Sequence, residues 1–367
     1  MSITVVTDQG NEWAADARVE ALRRWAQPEI SRLVQRTLNE PPVIAGLGGD
    51  ASFRRYFRYT DAGQSFLLVD APAPHEDVGL FVSVAAEFHA TGMRTPLIHA
   101  ADPDQGFMLL EDFGDNLFLP ELLAAQQAGD EKSADQLYLA AMGSLLDLQR
   151  DSADSQLPSY DAERLLNEMR LFDQWFCGEM LGLALDDPTQ QLLNKTWQFL
   201  IDTAVAQPQV RVHRDYHSRN LMIINDDPAA RPGVIDFQDA VVGPVTYDLV
   251  SLLKDCYIVW PAARVEGWLA TYYENASKQS LLPKGLSFEG FARDFDLMGL
   301  QRHIKVLGIF CRLALRDGKR GYLSDLPVVL DYVKQTAAAY PEVSDFSDWF
   351  EQVPLPRIHQ RLQQEQN

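Results

Sequence analysis

Between Val212 and Asp236 the chain reads V-H-R-D-Y-H-S-R-N-L-M-I-I-N and then, after a polar break, G-V-I-D. Asp215 precedes Asn220 by five residues, an apolar run follows that Asn at once, and a second apolar run, Val234-Ile235, delivers Asp236. Two carboxylates and an amide in this order are suited to phosphoryl transfer. Charge spreads over the phosphoryl oxygens in the transition state, so the reaction calls for hard oxygen ligands for magnesium and one carboxylate near the attacking hydroxyl. Any one of these residues alone could cap a loop or end a strand. The ordered set, with apolar runs in the right places, is a specific signal.

The elements that must position them can be read outward from there. Leu221 to Ile224 and Gly233 to Ile235 predict two short buried strands joined through Asn225-Asp226-Asp227-Pro228, a hairpin that brings Asn220 and Asp236 together at one end. Upstream, Val43 to Ala51 is predicted as a strand and then a glycine-rich turn, and Ser52 to Tyr59 and Ser65 to Val69 as two further strands, with a turn at Asp61-Ala62-Gly63. The glycine-rich connection Gly48, Gly49, Asp50, Ala51, Ser52 could close over phosphates through its backbone N–H groups, although it is neither G-x-G-x-x-G nor a Walker loop. Helical spacing marks Ala17 to Leu33, with a break expected near Pro28, and Val78 to Thr91, ending at Gly92. From Leu119 onward the pattern is mostly helical.

The stretch from His213 through Asp236 to Gly243-Pro244-Val245-Thr246-Tyr247-Asp248-Leu249 resembles the aminoglycoside phosphotransferase and choline kinase superfamily. More closely, Gly48-Gly49-Asp50-Ala51-Ser52-Phe53-Arg54-Arg55-Tyr56 and Lys305-Val306-Leu307-Gly308-Ile309-Phe310 resemble bacterial anomeric sugar kinases, which phosphorylate N-acetylmuramate and N-acetylglucosamine at C1 in cell-wall recycling. That resemblance implies an α+β, bilobal, protein-kinase-like fold with a small antiparallel-sheet lobe and a larger, mostly helical one. It divides the chain into a loose extension (1–15), a nucleotide-binding lobe (16–112) and a helical lobe with the catalytic loop and substrate site (113–367). It implies ATP and Mg2+ as cofactors, Asp215 as the catalytic Asp, and Asn220 and Asp236 as magnesium ligands. Backbone groups near Leu110, Glu111 and Asp112 would meet adenine, and Asp248 would brace the catalytic loop.

Two departures stand against the protein-kinase pattern. The third strand, Phe66-Leu67-Leu68-Val69-Asp70, carries no Lys for the nucleotide phosphates, so either Arg54 or Arg55 on the preceding strand supplies the charge or both belong to a solvated face. Gln238 stands where D-F-G has Gly. These departures keep a catalytically silent kinase-like binding module in play beside the enzyme.

For the acceptor, Arg302, Lys305, Arg312 and Arg316 share one helical face, a cationic row fit for a substrate carboxylate or a product phosphate, or else a solvated face. Asp255, Tyr257 and Trp260 form an acidic and aromatic set of the kind sugar hydroxyls and ring faces need, or else packing residues. An amino sugar is the favoured acceptor; aminoglycoside, choline or homoserine kinases are the alternatives, and a cationic substrate would sit poorly beside the basic row.

Composition bounds these readings. Lys and Arg number 32 against 52 Asp and Glu, a formal charge of −20, which argues against nucleic acid or an anionic membrane as partner. Cys177, Cys256 and Cys311 are few, odd in number and without CxxC spacing, so neither a disulfide framework nor a zinc site is expected. The first residues lack a signal-like pattern, and no run is long enough to span a membrane. A small-molecule sugar substrate, no obligate protein partner and a cytoplasmic location follow as expectations.

Overall fold

The structure, a computed structural model, describes residues 16–48, 53–73 and 75–365. The chain divides into two units: residues 1–147 with Arg219–Asp239, and Leu148–Ser218 with Ala240–Asn367. The boundary expected at Asp112 thus falls inside the first unit, and the predicted metal hairpin belongs to that unit although the sequence before and after it belongs to the second.

In the first unit, α1 (Ala17–Leu33) lies against a five-stranded antiparallel sheet of order β1 (Ala45–Gly46), β2 (Arg55–Asp61), β3 (Gln64–Asp70), β5 (Phe107–Glu111), β4 (Ile98–Asp102). Asp16 caps α1 by accepting from Arg18 N at 2.8 Å. The helix is not broken at Pro28; it continues to Leu33. Proline removes one backbone bond and costs about 3 kcal/mol in a helix interior. Burial of Leu22, Ala26 and Ile30, a stripe running across Pro28, offsets that cost, since a fully buried Leu or Ile contributes about 1.5–3 kcal/mol.

The sheet agrees with the period-2 reading. Phe57 and Tyr59 on β2 join Phe66 and Leu68 on β3 in the core against α1, while Tyr56 on the opposite face lines a cleft. The β2–β3 turn is made by Ala62 (φ 47°) and Gly63 (φ 81°), both left-handed, as a two-residue hairpin requires. The predicted first strand is short, only Ala45–Gly46. β4 is absent from the sequence expectation: it is an edge strand of low β-propensity with a register shift between Ile98 and Ala100. Between β4 and β5, the Gly106 carbonyl accepts from Ala71 N at 2.8 Å, and a Cβ on Gly106 would stand 2.3 Å from the Ala71 carbonyl oxygen. Helix α2 (Val78–Ala90), capped by Asp77, buries Phe81, Val84, Ala85 and Phe88 and stops before Gly92 (φ 91°).

α3 (Phe118–Ala128) and most of α4 (Glu131–Gln149) complete this unit, together with the ribbon in which Leu221–Met222 pairs antiparallel with Gly233–Val234. The ribbon's turn residues Asn225 and Asp226 have φ of 55° and 56°, a conformation that Asn and Asp tolerate.

The second unit is helical around one long helix. α5 (Ala162–Leu171) passes into a nine-residue π-helical stretch, Phe172–Met180, followed by α6 (Asp187–Ala206), α7 (Tyr247–Leu253), α8 (Ala262–Lys278), α9 (Phe288–Leu315), α10 (Leu326–Ala339), α11 (Ser344–Gln352) and α12 (Pro354–Glu365). A two-stranded ribbon, Gln209–Val212 with Val241–Pro244, flanks the residues that lead to Asp215. The 28-residue α9 packs against α5, the π-helical stretch, α6, α7, α8 and α10. It crosses the start of the π-helical stretch at Gly308, where a Cβ would lie 2.3 Å from the Leu171 carbonyl carbon.

Candidate active site

The ribbon in the first unit brings two predicted residues together. Ile235 N donates to the Asn220 carbonyl at 3.1 Å, continuing the Leu221–Val234 pairing to the end of the ribbon that carries both Asn220 and Asp236. The ribbon is fastened on both edges, by Val234 N to the Arg94 carbonyl at 2.7 Å and by Ile223 N to the Asn116 carbonyl at 2.8 Å. Asn220 is buried, 2 % exposed. Asp236 is held at φ 66°, a left-handed conformation that a non-glycine residue adopts at a cost of about 1–3 kcal/mol and that clusters at functional sites. The Gln238 side-chain amide, at the position that departs from D-F-G, donates to Asp236 Oδ1 at 2.9 Å and so orients the carboxylate. One carboxylate and one amide oxygen, braced by a second amide, suit Mg2+, a hard ion that fills its remaining positions with water and phosphate oxygens.

Beside Asp236 the same unit forms a cleft whose walls are chiefly apolar, among them Leu47, Tyr56, Leu67, Phe81, Leu110 and Phe237. Its lining suits a flat aromatic ligand. Leu110, Glu111 and Asp112 border it as expected. The charged side chains among them are paired. Arg94 forks onto the Glu111 carboxylate, which also accepts from Leu97 N at 3.1 Å, and Arg58 Nε meets Asp112 at 2.6 Å. Glu111 N itself donates to the Leu97 carbonyl at 2.8 Å. Leu67 on β3 faces the cleft, and that strand carries no Lys. Of the glycine-rich connection, Gly48 is described; Gly49, Asp50, Ala51 and Ser52 lie outside the described residues.

Asp215 belongs to the second unit, where, half-buried, it stands near a cluster of buried charge. The approach to it is fixed by Asp248, on α7, which accepts from His213 N at 2.6 Å and from Arg214 N at 2.9 Å. Those two amides hold Arg214 at φ 77°. Burial raises Asp248 to about 7 even against these donors. Burial also acts to raise Asp215, but the cations Lys305, Arg302 and Arg214 outweigh it and keep the carboxyl below its ordinary value. His217, by contrast, is pushed down to about 3 by burial and is neutral at ordinary pH.

The cationic row of α9 divides in two. Lys305 Nζ bonds Tyr247 Oη at 3.0 Å and Glu168 at 3.1 Å, and Arg302 bonds Ser251 Oγ at 2.8 Å, both inside the unit. Arg316 is exposed and pairs with its neighbour Asp317. Glu168, on α5, also takes Arg214 and the Tyr160 hydroxyl, so one carboxylate ties three groups around the segment that carries Asp215. Sequence reasoning missed Glu168, although a signal existed: it falls within the apolar stripe Leu165, Met169, Phe172, where a charged residue needs a partner. Asp255 is 3 % exposed and accepts from Ser218 Oγ at 2.6 Å and Tyr257 N at 2.8 Å, which anchors the segment just after Asp215.

The phosphotransferase enzyme family matches residues 43–283 of this chain. The chain belongs to that family. Among curated relatives, an N-acetylmuramate/N-acetylglucosamine kinase of Pseudomonas putida is 42 % identical over 91 % of this chain and 96 % of its own length. Its counterpart of the same name from Pseudomonas aeruginosa is 38 % identical over 92 % of this chain and 98 % of its own. Among solved structures, the ADP-bound aminoglycoside phosphotransferase APH(2'')-Ib superposes with a TM-score of 0.52 at 15 % identity, covering 83 % of this chain and 97 % of that one. The fold is therefore protein-kinase-like, as the motifs implied, and family membership makes the chain a phosphotransferase.

Proposed function

We propose that this phosphotransferase moves the γ-phosphoryl group of ATP to the anomeric hydroxyl of N-acetylmuramate or N-acetylglucosamine, in the recycling of peptidoglycan sugars. The near full-length similarity to kinases named for those two sugars carries the choice of acceptor. The cleft bordered by Leu110 to Asp112 takes the adenine. Asn220 and Asp236 would hold Mg2+, which supplies neutralising charge on the nucleotide phosphates.

Asp215 acts on the acceptor. Kept ionised by Lys305 and Arg302, it accepts a hydrogen bond from the sugar C1 hydroxyl and takes up its proton as the new bond forms. The anomeric hydroxyl is more acidic than other sugar hydroxyls, so a carboxylate of low basicity suffices. The C1 oxygen bonds to the γ-phosphorus, the bond from that phosphorus to the β–γ bridging oxygen breaks, and ADP leaves in line without a covalent enzyme intermediate. Because Lys305 and Arg302 are engaged with Glu168, Tyr247 and Ser251, we assign them to the ionisation of Asp215 ahead of direct sugar binding. Asp255 likewise serves the loop through Ser218. The need for ATP argues for a cytoplasmic reaction; among the described residues no helix is long and apolar enough to cross a membrane.

An acceptor screen tests this reading. Free N-acetylmuramate and N-acetylglucosamine should release ADP, whereas their 1-O-methyl glycosides should not. Equal turnover of the blocked glycosides would remove C1 as the site, and no ADP release with any sugar would favour a silent binding module.

A further inference from the structure

A kinase-like lobe ordinarily meets the nucleotide phosphates with a strand lysine, but here β3 presents Leu67 to the cleft. We infer that Arg54 is the cation that binds these phosphates, positioned for it by Glu76. This inference rests on the proposed use of ATP.

Three arginines lie on or beside β2, and their partners separate them. Arg55 points to the α1 side of the sheet, where it meets Asp16 and the fully buried Asp70. Arg58 meets Asp112 at 2.6 Å and Asp115 at 2.9 Å. Arg54 has the alternation of Tyr56, which lines the cleft, and it is only 7 % exposed. Its guanidinium carbon stands 5.5 Å from the ring centre of Phe81, another cleft wall. The Phe81 ring lies 4.7 Å from that of Phe237, the residue next to Asp236. Two aromatic rings of the cleft wall thus lead from Arg54, which stands behind Phe81, to the residue beside the proposed metal carboxylate, within one unit of the fold.

Glu76 fixes the direction of that cation. It lies just before α2, accepts from Arg54 Nη2 at 2.8 Å and also takes the Phe53 amide at 3.2 Å. The Phe53 ring stacks on His75 at 4.2 Å. Phe53 is thereby latched to the start of α2. A guanidinium presents five N–H donors in a rigid fork, so pairing with a carboxylate and bonding to phosphate oxygens are compatible. Arginine and its carboxylate partner here reproduce, from a different strand and a different turn of the helix region, the pairing of a strand lysine with a helix glutamate.

Binding of ADP and of adenosine to the full chain, measured by calorimetry, decides the matter, because only ADP carries phosphate. Arg54→Ala should weaken ADP about tenfold or more, the order of a lost charge-assisted hydrogen bond, while adenosine affinity stays at the wild-type value. Arg54→Lys should recover part of the loss. Glu76→Gln, which removes the latch but keeps the cation, should cost ADP no more than about two- to threefold, the order of one weakened neutral hydrogen bond. Equal weakening of ADP and adenosine in Arg54→Ala, or a Glu76→Gln loss as large as that of Arg54→Ala, would make Arg54 a structural pin and overturn the inference. If Arg54→Ala does not fold, the Lys and Gln variants carry the same decision. Wild type that binds adenosine and ADP equally would overturn the phosphate cation alone; wild type that binds neither would remove the ATP reading beneath it.

Discussion

The two units treat charge in opposite ways. In the first, the cleft is walled by Leu, Phe and Tyr side chains, and most ionic groups are arranged as pairs around its margin, as in Arg58 with Asp112 and Arg94 with Glu111. In the second, the half-buried Asp215 lies near a cluster in which the buried Lys305 and Arg302 and the half-buried Arg214 and Glu168 compensate one another. An apolar slot suits the flat base of a nucleotide, which binds by contact. A half-buried carboxylate that must stay ionised needs cations beside it, because burial alone would raise it. The difference matches the separate tasks that the proposed function gives the two units, holding a cofactor and activating an acceptor.

The comparison can be broken at its centre. Asp215→Asn should lower kcat by about a thousandfold, within the range for loss of a general base, and leave ADP binding at the wild-type level because the slot belongs to the other unit. A parallel loss of ADP affinity in calorimetry would erase the division of labour. Glu168→Ala should come next. It strands Arg214 and Lys305 without their shared carboxylate, and breaking a buried ion pair in this way costs about 3 kcal/mol, readable in urea unfolding. An unchanged midpoint would mean that the cluster is solvated and does not compensate as described.

The smallest effect concerns pH. Asp215 lies below its ordinary value, so activity is present at and above that range and falls as pH drops through the depressed value. Lys305→Met removes the foremost of the cations that lower it. The acid limb of the kcat profile should then move to higher pH. A limb that stays in place, or moves down, would exclude Lys305 from this role.

How much of this was legible depended on how local the determinant is. Asp215, Asn220 and Asp236 could be read because spacing and flanking apolar runs are properties of consecutive residues. The sheet was legible for the same reason, except β4, whose Ile98-His99-Ala100-Ala101-Asp102 has little β-propensity and is an edge strand defined by pairing with β5. Pro28 misled because a local cost was weighed without the tertiary burial of Ala26 and Ile30. The row on α9 was visible as a row, but the commitment of Lys305 depends on Glu168, far back on α5, and on Tyr247, and no window of sequence contains all three. The choice between Arg54 and Arg55 turned on which face of β2 each occupies; the alternation was present in the letters, but the identity of the cleft face was not.

The crossing at Gly308 ties mutational tolerance to chemistry. Any side chain at that position must displace backbone of the Leu171–Phe172 junction, and the part of α9 that would swing away carries Lys305 less than one turn distant. The acidity of a carboxylate far upstream in the chain is in this sense tuned by the absence of a methyl group, so drift at a buried, chemically inert position would surface first as altered proton affinity at Asp215.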